Sequence, residues 1–573
     1  MYNNKQKFVI FSLIFLFGSI AILTISTNFH TKPLGDYDST SLKTSATFTD
    51  IEIDALDTTN TTNSGNWTWA KSIGLCTGSG TPSSPYVISN HIFEYSSGIG
   101  DCLRIRNSRV HFRIRDCTFR NSDITDAGLY IYNTTNGDVI DCIAHDNFRG
   151  FELVSVNDTE LEGNHIYSTT TGMYLSNCRF NTISNNNVSA NIAQGIYLTT
   201  SMANTITSNI ANDNQNFDGI VLNLESNYNE LIGNTANGNG ENGIYLDDCH
   251  VNTISNNEVN DNTQLGIYLT ISTNNDILSN MAEDNAYGIL LDSNCDNNLI
   301  SKNTANSNDF DGILCFNSDN NMITRCTTNH NGDSGVYLIT CGDSAITDNS
   351  AYNNSIMGIY LEDSLNITCS DNTLYENIVF GIYLDNTDES VIEKNYVHHN
   401  GLDGILLDSG SQLNIIDANI VRYNNESGIH LFSSNNNLLL NNIASYNEEH
   451  GIFIQSSNNI VLTGNTASIN GENGIHLLNS NFNSIISNTA NKNKNGTFLD
   501  NSDNNKVIDN TFVGNGDCYN ETGSTNNIFE NNKCSAPGGF SIDLTTLLLI
   551  LVLAEGAVIA IAILIFIVKK RKS

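Results

Sequence analysis

One four-residue word, Gly381-Ile382-Tyr383-Leu384, returns along this chain at a nearly constant interval. Variants of it begin at Gly128, Gly150, Gly172, Gly195, Gly219, Gly243, Gly266, Gly288, Gly312, Gly335, Gly358, Gly381, Gly404, Gly428, Gly451, Gly474 and Gly496, seventeen occurrences spaced 22 to 24 residues apart. A fixed period of this size makes each repeat one supersecondary unit that buries its apolar face only by stacking on its neighbours. Within the word the apolar side chains alternate, Ile382 and Leu384 one way and Tyr383 the other, which is the period of a strand. Two more short strand-like runs, Leu365-Asn366-Ile367-Thr368 and Thr373-Leu374-Tyr375, precede Gly381 in the same repeat. Each coil therefore reads as three strands and three corners, stacked in parallel at about 4.8 Å per coil into a rod of roughly 80 Å.

The corners carry their own columns. The repeated glycine suits a position with positive φ or one that a neighbouring coil approaches closely. Asn349, Asn372, Asn395, Asn419, Asn442 and Asn465 stand nine residues before a glycine, and their amides can hydrogen-bond from coil to coil. Small residues follow six after it, at Ser201, Ser272, Ser318, Ser364, Ser434, Ser457 and Ser480. All four prolines, Pro33, Pro82, Pro85 and Pro537, lie outside the array, as expected of a residue that cannot donate to a strand ladder. Differences in repeat length are placed just before the glycine, as in Asp213 to Asp218 against Glu283 to Tyr287.

The pattern of Asn372 and Asn377 leading into Gly381-Ile382-Tyr383-Leu384 and then Thr387 resembles the repeats of the NosD-like and carbohydrate-binding and sugar-hydrolase β-helix families, over roughly residues 86 to 534. The resemblance implies an all-β, right-handed, single-stranded parallel β-helix of about 17 regular coils plus caps. Those families include polysaccharide lyases and hydrolases, copper-site maturation proteins and surface proteins, so the resemblance constrains fold more than function.

Around the array the chain divides as follows. Residues 8 to 25 are apolar behind Lys5 and Lys7, giving a signal peptide or signal anchor over 1–27. Residues 28–75, rich in Thr, Ser, Asn and Asp, read as a flexible linker, and 76–127 as an N-terminal cap with the first irregular coils. Arg104, Arg106, Arg109, Arg113 and Arg115 fall in that cap, with a basic binding patch as the alternative. The repeats occupy 128–534, a short linker 535–543, and an apolar segment 544–568 is long enough for a transmembrane helix, with Glu555 inside it. The basic tail 569–573 then stays cytoplasmic and the β-helix lies outside the cell, so the membrane is an expected partner. The stretch around Pro537-Gly538-Gly539-Phe540 resembles the tripartite sorting signals of archaeal surface proteins, with an extra glycine.

The net charge of −36, from 61 acidic and 25 basic residues, excludes nucleic acid as a natural partner. Ten Asn-x-Ser/Thr sequons, among them Asn133, Asn157, Asn353, Asn366 and Asn425, could accept glycans outside the cell. Of thirteen cysteines, Cys178, Cys249 and Cys341 join the small-residue column, and Cys518 with Cys534 is the pair best placed for a disulfide.

Three constellations carry candidate chemistry. Tyr337, Tyr360 and Tyr383 stack on consecutive coils beside Glu362, Asp363, Asp385 and Asp408, a pairing of aromatic rings and carboxylates that suits a sugar. The plain alternative is a solvated β-face with packed tyrosines. The same acids, Glu362, Asp385 and Asp408, are the catalytic candidates for a polysaccharide hydrolase or lyase, because carboxyls one or two coils apart approach the separations glycoside hydrolysis needs. His398, His399, His430, His450 and His476 are the metal candidates; copper is disfavoured by six methionines and scattered histidines. No cofactor is required, and Ca2+ is the one the acidic face leaves room for. The expected function is a non-catalytic surface scaffold binding glycans or other surface proteins, with hydrolase or lyase and then NosD-like copper handling as alternatives.

Overall fold

In a computed structural model residues 45–97 and 100–535 are described. The N-terminal apolar segment, the apolar segment 544–568 and the basic tail lie outside them, and among the described residues no helix is long and apolar enough to cross a membrane.

Each coil holds three short strands, as in Ile382–Asp385, Val391–Glu393 and Tyr396–His398. Every one pairs in parallel with its equivalent a coil later: Ile382 with Ile405, Val391 with Ile415 and Tyr396 with Ile420. The result is a parallel β-solenoid of about 19 turns with three faces, here called the first, second and third sheets in that order. The count exceeds 17 because strands Ile51–Asp54, Leu103–Arg106 and Asp517–Thr522 continue the first sheet without the glycine word. Ile382, Leu384, Ile392 and Val397 point inward and are fully buried, as their equivalents are throughout the stack. The third sheet thins to single bridges from Asn187 to Thr327, where triplets such as Thr235-Ala236-Asn237 and Thr304-Ala305-Asn306 put Ala and Asn in place of Val397 and His398.

The repeated glycine is explained by closeness alone. Left-handed backbone at the corners belongs to residues such as Asp363 (φ 48°), Asp371 (φ 56°) and Asn386 (φ 50°), whereas Gly381 has no positive φ. A Cβ on Gly381 would lie 2.2 Å from Val397 Cγ1 and 2.7 Å from the carbonyl oxygen of Gly404 one coil on.

Asparagine ladders run along all three corners. Asn372 donates its backbone N–H and its Nδ2 to Asn395 Oδ1, both at 3.0 Å, and Nδ2 also reaches the carbonyl of Ile346 at 2.8 Å. A second ladder, through Asn354, Asn377 and Asn400, repeats the pattern. A third, after the first sheet, passes through Asn252, Asn275 and Asn298. Cys178, Cys249 and Cys341 sit in the small-residue column, each donating its backbone N–H to the serine hydroxyl of the next coil.

Three expectations are corrected. Residues 46 to 72 are not a linker: they supply strands Ala46–Thr49 and Ile51–Asp54 and the short helix Trp67–Ser72. That helix forms because the Asn66 side chain accepts from the N–H groups of Thr68 and Trp69 at 3.0 and 3.2 Å. Its Trp67 stacks on Tyr86 at 4.9 Å and donates to Ser108 Oγ at 3.0 Å, so the start of the core is covered by this helix. Second, residues 86 to 127 are ordinary coils and their arginines form neither cap nor free basic patch. Arg104 pairs with Asp101 at 2.6 Å, Arg106 with Asp54 at 3.1 Å and Arg113 with Asp138 at 2.7 Å. Third, extra residues enter at two corners: Asn216 to Asp218 lie before the glycine, but Leu224-Glu225 and Ser409-Gly410 follow the first-sheet strand.

Cys518 and Cys534 are joined as a disulfide with Cα atoms 5.7 Å apart, and the eleven other cysteines are buried thiols.

Candidate functional site

The outer side of the first sheet carries the tyrosine and acid columns. Tyr337, Tyr360 and Tyr383 are in register, as are Glu362, Asp385 and Asp408. The rings stack at 4.5 and 5.0 Å with planes only 10° and 11° apart. Their hydroxyls alternate with the acids: Tyr337 donates to Glu362, Tyr360 reaches Asp385 at 3.5 Å, and Tyr383 reaches Asp408 at 3.5 Å. Burial first, then these carboxylates, pushes all three phenols far above their ordinary range, so they remain neutral donors.

This geometry changes what the face can do. Rings stacked at coil spacing cover one another's planes, and the column ends against Leu314 on one side and Leu406 on the other. Tyr383 is only 8% exposed. The aromatic planes expected to meet sugar CH groups are therefore occupied; of the acids, Asp385 is itself only 9% exposed, while Glu362 and Asp408 on either side are half-buried. Asp363 does not join that row: it sits exposed at the next corner, where it accepts from Asn386 Nδ2 at 2.6 Å. A further acidic pair, Asp311 and Asp333, which no constant offset in the repeat singles out, lies on neighbouring coils beside Tyr337. Burial, reinforced by the Asp333 charge, holds the Asp311 carboxyl well above the usual carboxylate range.

The histidines separate into two groups. His398 and His399 lie along the third sheet, where their Nδ1 atoms are 2.8 Å apart and their rings stack on Tyr375 and Tyr423 at 5.1 Å each. His398 and His399 do not join the first-sheet histidines, whereas His450 contacts His476. His430, Phe453, His476 and Phe498 form an aromatic column on the first sheet, with ring separations of 4.6, 4.8 and 5.0 Å. His430 Nδ1 meets Asp403 at 3.0 Å, and His450 Nε2 meets His476 Nδ1 at 3.1 Å. Among the described residues no three His, Cys, Asp or Glu side chains converge as a metal site. Beside the column lies a cleft of about 460 Å³ lined by Glu449, His450, Glu472, His476, Lys494 and Phe498, with Asn473, Asn495 and Asn520 at its edges.

Burial is the main reason His450 is pushed down to about 3 and His476 to about 4, with neighbouring imidazoles adding to it and Glu472 and Asp403 opposing it at His450. A histidine whose folded value is depressed binds fewer protons folded than unfolded, so its contribution to stability is complete above about pH 6.5 and is lost as pH falls toward the folded value. Both imidazoles are expected to stay neutral at pH 5, and the stability they contribute falls by up to about 1.4 kcal/mol per pH unit each. The assigned imidazole nitrogen resonances of His450 and His476, followed from pH 8 to 4, check this; either of these two titrating near 6.5 would contradict it.

The profile of the family described as "Right handed beta helix region" matches residues 73–236, 218–374 and 357–512, most of the chain. The chain belongs to this right-handed β-helix family. None of the curated proteins compared with it matches. Among solved structures, the periplasmic alginate epimerase AlgG is 14% identical with a TM-score of 0.33, covering 62% of this chain and 84% of that one. Dettilon tailspike protein (gp208) is 15% identical with a TM-score of 0.30, covering 63% and 60%. DFA-IIIase from Arthrobacter chlorophenolicus A6 is 16% identical with a TM-score of 0.30, covering 44% and 67%. Likeness at this level concerns the fold alone.

Proposed function

We propose that this protein is a membrane-anchored cell-surface β-helix that binds glycans along the outer face of its first sheet without transforming them. The observation that carries the reading is the in-register row Glu362, Asp385 and Asp408, each acid met by a tyrosine hydroxyl. Carboxylates repeating at about 4.8 Å offer acceptors to successive hydroxyls of an extended polymer, and the tyrosine bonds fix their orientation in advance. Export and anchoring rest on the apolar segments 8–25 and 544–568 and the basic tail. The acidic balance favours neutral or amino sugars over anionic ones.

The full-length chain in detergent should retain neutral or amino glycans on an array, and Asp385→Asn should weaken retention about tenfold, the value of one or two hydrogen bonds to a charged group. A blank array, or retention unchanged by the substitution, sinks the reading.

One feature favours hydrolysis as the second reading. Glu362 and Asp385 are adjacent in register, a spacing of about 4.8 Å close to the roughly 5 Å of retaining glycosidases. Release of new reducing ends, abolished by Glu362→Gln, would establish it in place of simple binding.

A further inference from the structure

The two ends of the rod are finished differently. At the first, the helix Trp67–Ser72 covers the start of the core, with Trp67 packed on Tyr86 and Phe112 at 4.9 and 5.3 Å. At the last, strands Asp517–Thr522, Ile528–Glu530 and Lys533–Ser535 each pair with the coil before them, and among the described residues no strand pairs with their other edge. The change in exposure is abrupt. Leu499, Val507 and Phe512 are fully buried, whereas one coil on almost every residue of the three strands is exposed. An open strand edge is a template for unwanted pairing, and the terminal coil of a solenoid needs a cover.

The last coil itself supplies the face of that end. Register places Tyr519 over Thr497 and Phe529 over Val507, both inward positions, so these side chains are the last layer of the core. Tyr519 stacks on Phe529 at 4.4 Å and is still 45% exposed, and the neighbouring Ile528 is 42% exposed. The Cys518–Cys534 disulfide ties the first-sheet strand of this coil to its third-sheet strand, which holds the face together without a further turn. The rim is acidic, with Asp517, Glu521 and Glu530 exposed against Lys533.

What lies against this face follows from where the chain goes next. It leaves the last coil at Ser535, and Pro537 followed by Gly538-Gly539 does not continue a strand ladder. The segment 536–543 spans at most about 28 Å before the apolar segment 544–568 begins. With 544–568 in a bilayer, the open end is confined to that distance from the lipid surface. Tyrosine and phenylalanine backed by an aliphatic side chain suit the headgroup layer, where one part of a ring is apolar and another is wet. The acidic rim meets the ammonium groups of zwitterionic headgroups favourably and is repelled by anionic lipid. We propose that the rod stands end-on, with Tyr519, Ile528 and Phe529 seated in the headgroup layer of a zwitterionic bilayer. The inference rests on the reading of 544–568 as a membrane anchor and adds to it the face that meets the lipid. Standing this way holds the Glu362 row roughly 30 Å above the membrane, clear of it.

The test uses the full-length chain in phosphatidylcholine vesicles and the contrast its tryptophans provide. Trp67 and Trp69 are the only two, and they lie at the opposite end, roughly 80 Å away. Tyr519→Trp keeps an aromatic ring on Phe529 and places a reporter on the end face. Lipid carrying a nitroxide on its headgroup should quench the added emission about twofold or more and leave that of Trp67 and Trp69 unchanged. Tyr423→Trp, Phe432→Trp and Ile415→Trp, exposed positions on the third, first and second sheets, should stay bright. Replacing part of the phosphatidylcholine by phosphatidylglycerol should weaken quenching at position 519. Circular dichroism confirms that each variant keeps its sheet. Washing with alkaline carbonate distinguishes the two readings: protein that resists the wash with position 519 unquenched overturns end-on seating and leaves the anchor standing, whereas protein that washes off overturns both. Quenching at a side position equal to that at 519 means a rod lying down, and cross-linked dimers joined through an unquenched last coil mean that a second copy covers the end. Either result overturns the proposal, as does quenching that rises with phosphatidylglycerol.

Discussion

Gly381→Ala should destabilise the rod by about 3 kcal/mol, the upper range for forcing extra volume into a packed interior. The smallest possible side chain already places its Cβ 2.2 Å from Val397 Cγ1, 2.7 Å from the Gly404 carbonyl oxygen and 2.9 Å from Asn400 Nδ2. Val397 belongs to the coil's own third-sheet turn one step on, and its rotation cannot clear the backbone oxygen. Relief therefore requires the first sheet to part from the following coil, at the level where Ile382 pairs with Ile405. In a stack whose stability is a sum of coil and interface contributions, one weakened interface divides the unfolding transition. Urea unfolding followed by circular dichroism and by protease nicking should show the break near residues 381 to 404. Gly342→Ala is the control: its nearest neighbour is the exposed Asp319 carboxylate at 3.2 Å, which accepts from the Gly342 N–H and can give by a few tenths of an ångström without losing that bond, and the change should stay within about 0.5 kcal/mol. Equal losses at Gly381 and Gly342 would remove close approach as the explanation of the repeated glycine.

The same comparison shows why the fold was legible in the sequence and the site only in part. Period, alternation and the exclusion of proline are properties of every coil, so seventeen copies of a weak signal specified three sheets and their register. The helix Trp67–Ser72 occurs once, inside a run of Thr, Ser and Asn whose composition resembles a linker; its available signal was Asn66 ahead of Trp67-Thr68-Trp69, a capping residue before buried aromatics. The columns of Tyr337, Tyr360 and Tyr383 and of Glu362, Asp385 and Asp408 could be read off because both lie at constant offsets from the glycine. Their ring stacking could not, since spacing gives the position of a side chain and not the tilt of its plane. The cleft was less legible still. His450 stands one residue before Gly451 and His476 two after Gly474, so their contact joins different columns on different coils. Glu449, Glu472 and Lys494 share a column that reads, in one dimension, as a solvated corner.

Asn395→Leu should cost about 3–5 kcal/mol, although the side chains are alike in size and the position is fully buried in a mostly apolar stack. The amide of Asn395 does four things at once. Its Oδ1 accepts from the backbone N–H and the Nδ2 of Asn372, both at 3.0 Å, and its Nδ2 donates to the Cys369 carbonyl at 2.9 Å and to Asn419 Oδ1 at 3.0 Å. Leucine leaves the Asn372 N–H and the Cys369 carbonyl inside the rod without these partners, and each buried orphan costs about 1–3 kcal/mol. The ladders differ in tolerance. The one after the first sheet already carries Ser344, Ile367 and Ser390 in asparagine positions, and Ser344 still accepts from the Asn321 N–H at 3.0 Å. Asn414→Ser, which copies that arrangement, should therefore cost only about 1 kcal/mol. Denaturant unfolding of both variants, with amide hydrogen exchange at residue 372 as the local readout, separates the outcomes. Exchange at Asn372 should accelerate by orders of magnitude in Asn395→Leu and remain slow in Asn414→Ser. If the leucine variant matched the parent in both measurements, the amide ladder would be a consequence of the stacking and not one of its causes.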